Sequence, residues 1–476
     1  MKCEKREANG SITIYLTLTM LIMMSLLLTL LEGIRMKTME FQAKCVVDIG
    51  IDSIFAEYHR EVLSRYGLLL VDTSYGTSCG DTEYTKDHLL KYMNMNFVPE
   101  GRNNILNYRD LTALHADNAD ILSITYATDE GADVLRYQII RYMKECGGLS
   151  YADALFSLKD NQELHVEKAR QDYQQYDAEL NQKMKELNTN PDTGVNPYEG
   201  LLTAMMNHSV LDYAIKDPSV LSPKSIDSDL YTSHRDLQEG DGLWEEQESV
   251  SGMINQELCA SYYMDMCGNY MDIKEDTTLD YEVEYLLQGK DTDKKNLEKV
   301  ADDIFQMRYA VNAAYLFTNG PKCAEAEAAA AVIAAILLNP ELTEPIKAVI
   351  LAAWCYAESL QDLRMVYDQK KVPYVKTDSN WNIAFHELLT FAYHLDEYQE
   401  TEEGMEYKDF LHTFLLTKNR HTVQKRFCDI VEMNVKRTEG NSNFKMDNCA
   451  YQMEVNVNIS SEYGYGFSIT NKYSYE

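Results

Sequence analysis

The residues best suited to metal or acid–base chemistry are His386, Glu387 and His394, together with the acidic runs Asp227–Asp229, Glu239–Asp241 and Asp291–Asp293. A zinc-binding helix of the metalloprotease kind needs histidines four apart with the glutamate between them, so that both imidazoles share one face. Here the second histidine follows eight residues later, and the group reads as polar residues on a surface helix. The acidic runs lack the alternating ligand ladder and closing glutamate of a calcium loop, and read as solvated loops or helix starts. GxxxxGK[ST] and a strand-borne GxGxxG are missing from the sequence, and its GxSxG spacing, Gly76–Gly80, falls in the turn-rich stretch DTSYGTSCGD. No catalytic residue, metal ligand or cofactor is therefore expected, and the chain does not read as an enzyme.

Chemistry at cysteine is equally sparse. Beyond Cys3 the chain carries Cys45, Cys79, Cys146, Cys259, Cys267, Cys323, Cys355, Cys428 and Cys449, an odd set without CxxC spacing, which reads mostly as buried free thiols. Cys323 and Cys355 lie equally far on either side of Asn339. An antiparallel hairpin would bring them to similar heights, but packed helices about 8–10 Å apart are wider than the ~7 Å limit of a disulfide.

The elements that carry these residues follow from composition and periodicity. With 44 basic against 76 acidic residues the net charge is −32, which excludes nucleic acid as a partner; 34 tyrosines and 45% apolar residues supply a packed core. Residues 12–31, ITIYLTLTMLIMMSLLLTLL, contain no charge and are long enough to cross a bilayer. Their threonines can return hydrogen bonds to carbonyls one turn back. The apolar run is too long for a signal peptide and no small-x-small site follows it, so an uncleaved single-pass anchor is expected. Lys2, Lys5 and Arg6 in the flank 1–11 favour a cytoplasmic N-terminus, with the acidic bulk extracytoplasmic and standing off the anionic surface.

Past the anchor, apolar residues three or four apart predict a helical stalk over 32–66, ended by Gly67 and able to bend at Gly33 or Gly50. Residues 67–187 read as α+β, with a buried strand at Leu68–Val71 and an amphipathic helix, or coiled-coil arm, from Ala169 to Leu187. The cluster Pro191, Gly194, Pro197 marks a boundary, and 188–285 reads as loop-rich. Residues 286–400 form a helical core with an alanine-rich buried hairpin broken at Asn339–Pro340. In 401–476 a helix precedes a β-hairpin in which Met453, Val455, Val457 and Ile459, then Tyr465, Phe467 and Ile469, alternate with polar residues. The hairpin needs a neighbour, for which Leu68–Val71 is the candidate. The fold class is mainly α (α+β): a transmembrane helix continuing into a stalk, and a helical ectodomain with a small antiparallel sheet. Tyrosines between Tyr262 and Tyr285 offer either a recognition surface or ordinary packing.

The opening from Gly10 to Gly76, together with YEVEYLLQGK (281–290), AVILAAWCYAESLQDLR (348–364), KVPYVK (371–376), YKDFLHTFLL (407–416) and NFKMDNC (443–449), resembles clostridial single-anchor proteins of Tad/Flp-type pilus loci, with a TadE/TadG-like layout. The resemblance implies a surface component or assembly factor of a Tad-like pilus or secretion apparatus. It also implies a comparison with pilin precursors, which carry Gly, then an apolar segment with Glu at its fifth position. Here Gly10 is followed by Ser11 and the fifth position is Tyr15, so an uncleaved accessory protein is expected rather than a fibre subunit.

The expected function is thus an anchored accessory or minor structural component, working by helix–helix packing in the membrane plane. Gly10, Ser11, Tyr15, Glu32 and Gly33 are the expected assembly contacts, and the membrane and other envelope or pilus-assembly proteins are the expected partners. The oligomeric state is open. The alternative is a cell-surface module that captures a glycan, peptide or protein ligand through its acidic, tyrosine-rich ectodomain.

Overall fold

The charge-free segment forms the first part of one 45-residue helix, α1 (Ser11–Phe55), about 67 Å long at 1.5 Å per residue. A computed structural model describes residues 11–78, 80–97, 112–146, 162–188, 196–245 and 250–475. Within α1 the hydroxyls of Thr17, Thr19 and Thr29 donate to the carbonyls of Thr13, Leu16 and Leu26 at 2.8–3.0 Å, so these polar groups add no unmet hydrogen bond to the apolar surface. From Ile12 onward α1 is long and apolar enough to cross a membrane, and none of its most apolar stretch is buried in the protein.

The second half of α1 behaves differently. Met39, Ala43, Val47 and Ile51 recur every fourth residue and are buried, as are Val46, Ile54 and Phe55. The helix thus continues past the apolar run as expected, and from about Met39 it is also a core element of the body. It also does not reach Tyr66. The chain turns at 56–59 and resumes as α2 (Arg60–Tyr66), capped by the His59 side chain and closed by Gly67 at φ 67°. No breaker residue causes the turn. The Glu57 carboxylate accepts from Tyr75 and Tyr92 hydroxyls at 2.8 and 2.5 Å and sits 3.2 Å from His88 Nδ1, so distant contacts fix it. Neither Gly33 nor Gly50 interrupts the helix. Gly50 instead lets α3 (Glu83–Phe97) approach, since a Cβ there would stand 2.7 Å from Met93 Cγ.

The sheet is built on its last-but-one strand. β1 (Val71–Asp72) and β2 (Leu114–Tyr126) both pair antiparallel with β3 (Cys449–Ser461), and β4 (Gly466–Ser474) returns along β3. The register runs Leu114↔Ser461 to Tyr126↔Ala450 on one side, with three irregularities in the pairing of β2, and Gln452↔Ser474 to Ser460↔Gly466 on the other. Val71↔Ala450 makes the Leu68–Val71 segment the hairpin's neighbour, as its apolar run suggests. Met453, Val455, Val457 and Ile459 are buried, and Tyr473, opposite Met453, stacks on Phe55 of α1 at 4.5 Å. The alternating face thus lies under α1. Tyr465, expected inside the second strand, belongs to the turn, where Gly464 adopts φ 82°.

Helices make up the rest. α4 (Asp129–Cys146) is followed by α5 (Gln162–Asn188), which is not a free arm: Tyr173 meets Tyr309 and Tyr176 stacks on Phe317 at 5.5 and 5.3 Å. The 188–285 stretch is more ordered than its composition suggests, holding α6 (Pro197–Met206), α7 (Val210–Ala214), α8 (Met253–Met266) and the start of α9 (Glu282–Gln288). The expected boundary at Pro191–Gly194 lies outside the described residues. α10 (Asp293–Leu316), α11 (Gly320–Ile336) and α12 (Thr343–Tyr367) follow, the last two forming the alanine-rich hairpin. Asn319 caps α11 through Lys322 N, and Asn339 caps the short turn at Pro340. Only α12 is buried nearly all round. α11 covers it with Ala326, Ala330, Ile333 and Ala334 and exposes Val332 and Ile336. α13 (Tyr407–Thr417) and α14 (Arg420–Lys436) lead into β3. One continuous apolar core links α1, the sheet and these helices.

Candidate functional site

The candidate site is the base of α1, where its exposed apolar half meets the body. Along the apolar half the side chains of Tyr15, Leu27 and Leu30 are 53–69% exposed, an exposure that a helix of a soluble core would not have. At its end Glu32 and Arg35 face the turn between β3 and β4. The Tyr465 hydroxyl donates to the Glu32 carboxylate, and the Arg35 guanidinium lies 3.6 Å from the Tyr463 ring centroid. Arg35 also sits 3.9 Å from Glu32. The hydrogen bond to Glu32 pushes the Tyr465 hydroxyl above its ordinary range. Two tyrosines and an arginine at the end of an apolar helix have the chemistry of a membrane–water boundary.

Of this arrangement the sequence selected Glu32 alone, and its contact is within the chain. Gly33 lies on the opposite, open side, where a Cβ would meet nothing within 4 Å, in a shallow groove shared with Leu30, Ile34, Lys37 and Phe41. Tyr15 lies 17 residues earlier on the same helix, about 25 Å from Glu32, so the two do not form one contact. Ser11 opens α1, and Gly10 lies outside the described residues. Tyr463 and Tyr465 were missed as site residues. Alternation assigned Tyr465 to a strand, and only the turn signal SSEYG pointed elsewhere.

The other candidates resolve as structure. His386 is 83% exposed at the side chain beside Glu387, while His394 pairs separately with Glu397 at 3.0 Å. Among the described residues no group of three His, Cys, Asp or Glu is placed to hold a metal. Cys323 and Cys355 are both free; the Cys323 thiol donates to Leu316 O at 3.3 Å, and burial pushes the Cys355 thiol well up. Tyr262, Tyr263, Tyr281 and Tyr285 are all buried, so packing, not a recognition surface, is their use.

Charged networks lie inside the helical body, among them one around Lys376 and one in α9. Lys376, fully buried, places Nζ 2.5 Å from Glu358 and 2.8 Å from Asp362, and Arg308 meets Asp362 at 3.0 Å. Despite burial, these two cations hold the Asp362 carboxyl below its usual range. In α9, burial raises Glu282 and Glu284 to about 7; Glu282 accepts from Gly268 N and Asn434, and Glu284 from Tyr270 N and the Tyr407 hydroxyl. Internal partners meet the cations of the first network, while Glu284 Oε2 in the second is buried without a hydrogen-bond partner. A cleft of about 700 Å³ along α5 and α10 reaches Arg308 and Lys376, but Asp362 and Glu358 already neutralise them.

The chain belongs to a family of unknown function, DUF5702, whose family model matches residues 189–461. The match covers α6 to α14 and all of β3, while α1 to α5, β1, β2 and β4 lie beyond it. No curated protein and no solved structure matches the chain.

Proposed function

We propose that this protein is a membrane-anchored, extracytoplasmic accessory or minor structural component of a Tad/Flp-like pilus or secretion apparatus. The observation that carries this reading is the continuity of α1. One unbroken helix presents an exposed apolar surface over residues 12–31 and then becomes a core element of the body from Met39 onward. A partner packed on the first half is thereby coupled to the body without a flexible joint. In lipid such packing rests on close van der Waals fit, for which the open groove at Gly33 is suited. The basic flank supports an orientation with the N-terminus inside. Tyr15, in place of a pilin glutamate, fits an uncleaved accessory chain rather than a fibre subunit.

The expectation of an acidic body standing clear of the bilayer is modified by the Glu32–Tyr465 contact, which brings the β3–β4 turn down to the anchor's end. The test is a crosslinking pull-down of the full-length protein from membranes beside a version whose residues 1–31 are replaced by an unrelated anchor. Envelope or pilus-assembly proteins recovered only with the native anchor support the reading. Equal recovery with both anchors, or none with either, removes it.

A further inference from the structure

We infer that the cleft at the far end of α1 is a binding site for a neutral saccharide. It lies between the C-terminal turn of α1, the end of β4 and the segment at Glu245, with a volume of about 770 Å³, within the range of small-molecule sites. Asp52 lies 21 residues beyond Leu31 on the same helix, which puts the cleft about 30 Å from the end of the apolar segment. This inference is independent of what packs on the anchor.

The lining has two kinds of surface. Aromatic rings supply the first: the partly exposed Tyr473 is backed by the buried rings of Phe55 and Tyr475, with centroids of Tyr473 and Tyr475 4.5 and 5.0 Å from Phe55 and the Tyr475 hydroxyl tied to Phe55 O at 2.5 Å. This floor is fixed before any ligand arrives, which lowers the ordering cost of binding. Tyr58 stands at the rim, 36% exposed. Charged groups supply the second surface. Asp52, Glu245 and Lys472 line the cleft and are exposed, and among the described residues none of their side chains has an ion pair or hydrogen bond.

Ligand class follows from this pairing of surfaces. A pyranose has a C–H face that lies on an aromatic ring and an edge of hydroxyls, each both donor and acceptor. Carboxylates accept from such hydroxyls and an ammonium donates to them. A phosphorylated or otherwise anionic ligand meets two carboxylates against one ammonium. A purely apolar ligand would leave all three charges stranded, and a compact cation is opposed by Lys472.

Saturation-transfer NMR on the full-length protein in detergent micelles tests this, with chitotetraose, cellotetraose and maltotetraose as neutral probes and tetralysine as the cationic one. At least one saccharide should bind, and Tyr58→Ala and Asp52→Asn should each weaken it by about tenfold with unchanged unfolding temperature. Binding of none of the three saccharides at about 10 mM, a level that captures affinities weaker than those of most specific sites, overturns the proposal. So does binding that both variants leave intact, or binding of tetralysine alone.

Discussion

Glu32 and Tyr465 are 433 positions apart in the chain, and the hydrogen bond between them closes the β3–β4 turn onto the base of α1. Together with Arg35 on the Tyr463 ring, it gives the apolar half of α1 a second attachment to the body, beyond the helix itself. The helix then cannot swing about the point where it leaves the core without breaking a contact between charged or aromatic groups.

Because the pair is solvent-exposed, its loss should change local order more than global stability. Tyr465→Phe should leave the unfolding temperature within about 2 °C, while hydrogen exchange at residues 461–466 rises. An unchanged exchange rate across the turn would show that the contact does not restrain it.

Inside the helical body the opposite holds. Lys376→Met leaves Glu358 and Asp362 short of a buried cation, and should cost roughly 3–5 kcal/mol in chemical denaturation. Removing Lys376 and Glu358 together should cost less than the sum of the two single changes, since each alone strands the other. Additive losses would mean that the residues do not act as a pair.

Stability should fall as pH rises through neutrality. Glu282 and Glu284 have folded values near 7, above the ordinary 4.5, so the folded state binds protons that the unfolded state has already lost. Their contribution is complete below about pH 4.5 and is lost as pH rises through about 7, by up to roughly 3 kcal/mol for each fully buried group. Asp429, raised to about 6 by burial, adds to the same trend. Asp362 acts in the opposite sense: its lowered value contributes stability above the ordinary 3.8 that is lost as pH falls through the folded value. Denaturation midpoints should therefore decline between pH 5 and about pH 8, and Glu284→Gln should flatten that decline. A midpoint that rises over this interval contradicts the assignment.

Thiol labelling should separate Cys323 from Cys355. Both are free, but Cys323 is partly exposed and Cys355 is fully buried among α12 side chains. A maleimide should modify Cys323 in the native protein and Cys355 only after unfolding, as followed by peptide mass. A mass two hydrogens lower for a Cys323–Cys355 peptide pair would reveal a bridge instead.

Much of the architecture was legible because periodicity reports burial. The charge-free run at 12–31, the alternation at Met453–Ile459 and the Asn339–Pro340 break each predicted the element that forms. What periodicity does not carry is long-range contact. The turn after Phe55 is held by Tyr75, His88 and Tyr92 around Glu57, none of which marks a break locally. Polar residues on buried faces were equally hidden. In α10 the apolar series Leu297, Val300, Ile304 was readable, but Arg308 and Asn312 share the core with it because Asp362 waits on another helix. Of the candidate site, Glu32 could be read as the end of an apolar span, whereas Tyr465 could not, since only folding brings the two together.

The most direct test of the central claim is site-specific photocrosslinking in native membranes, with a photoreactive residue at Leu27 in the apolar half of α1 and, as control, at Tyr393 on the body, which is 84% exposed. The account predicts a discrete protein adduct from Leu27, containing an envelope or pilus-assembly component, that the Tyr393 probe does not give. A Leu27 probe that crosslinks only to lipid, while Tyr393 captures protein, would contradict it.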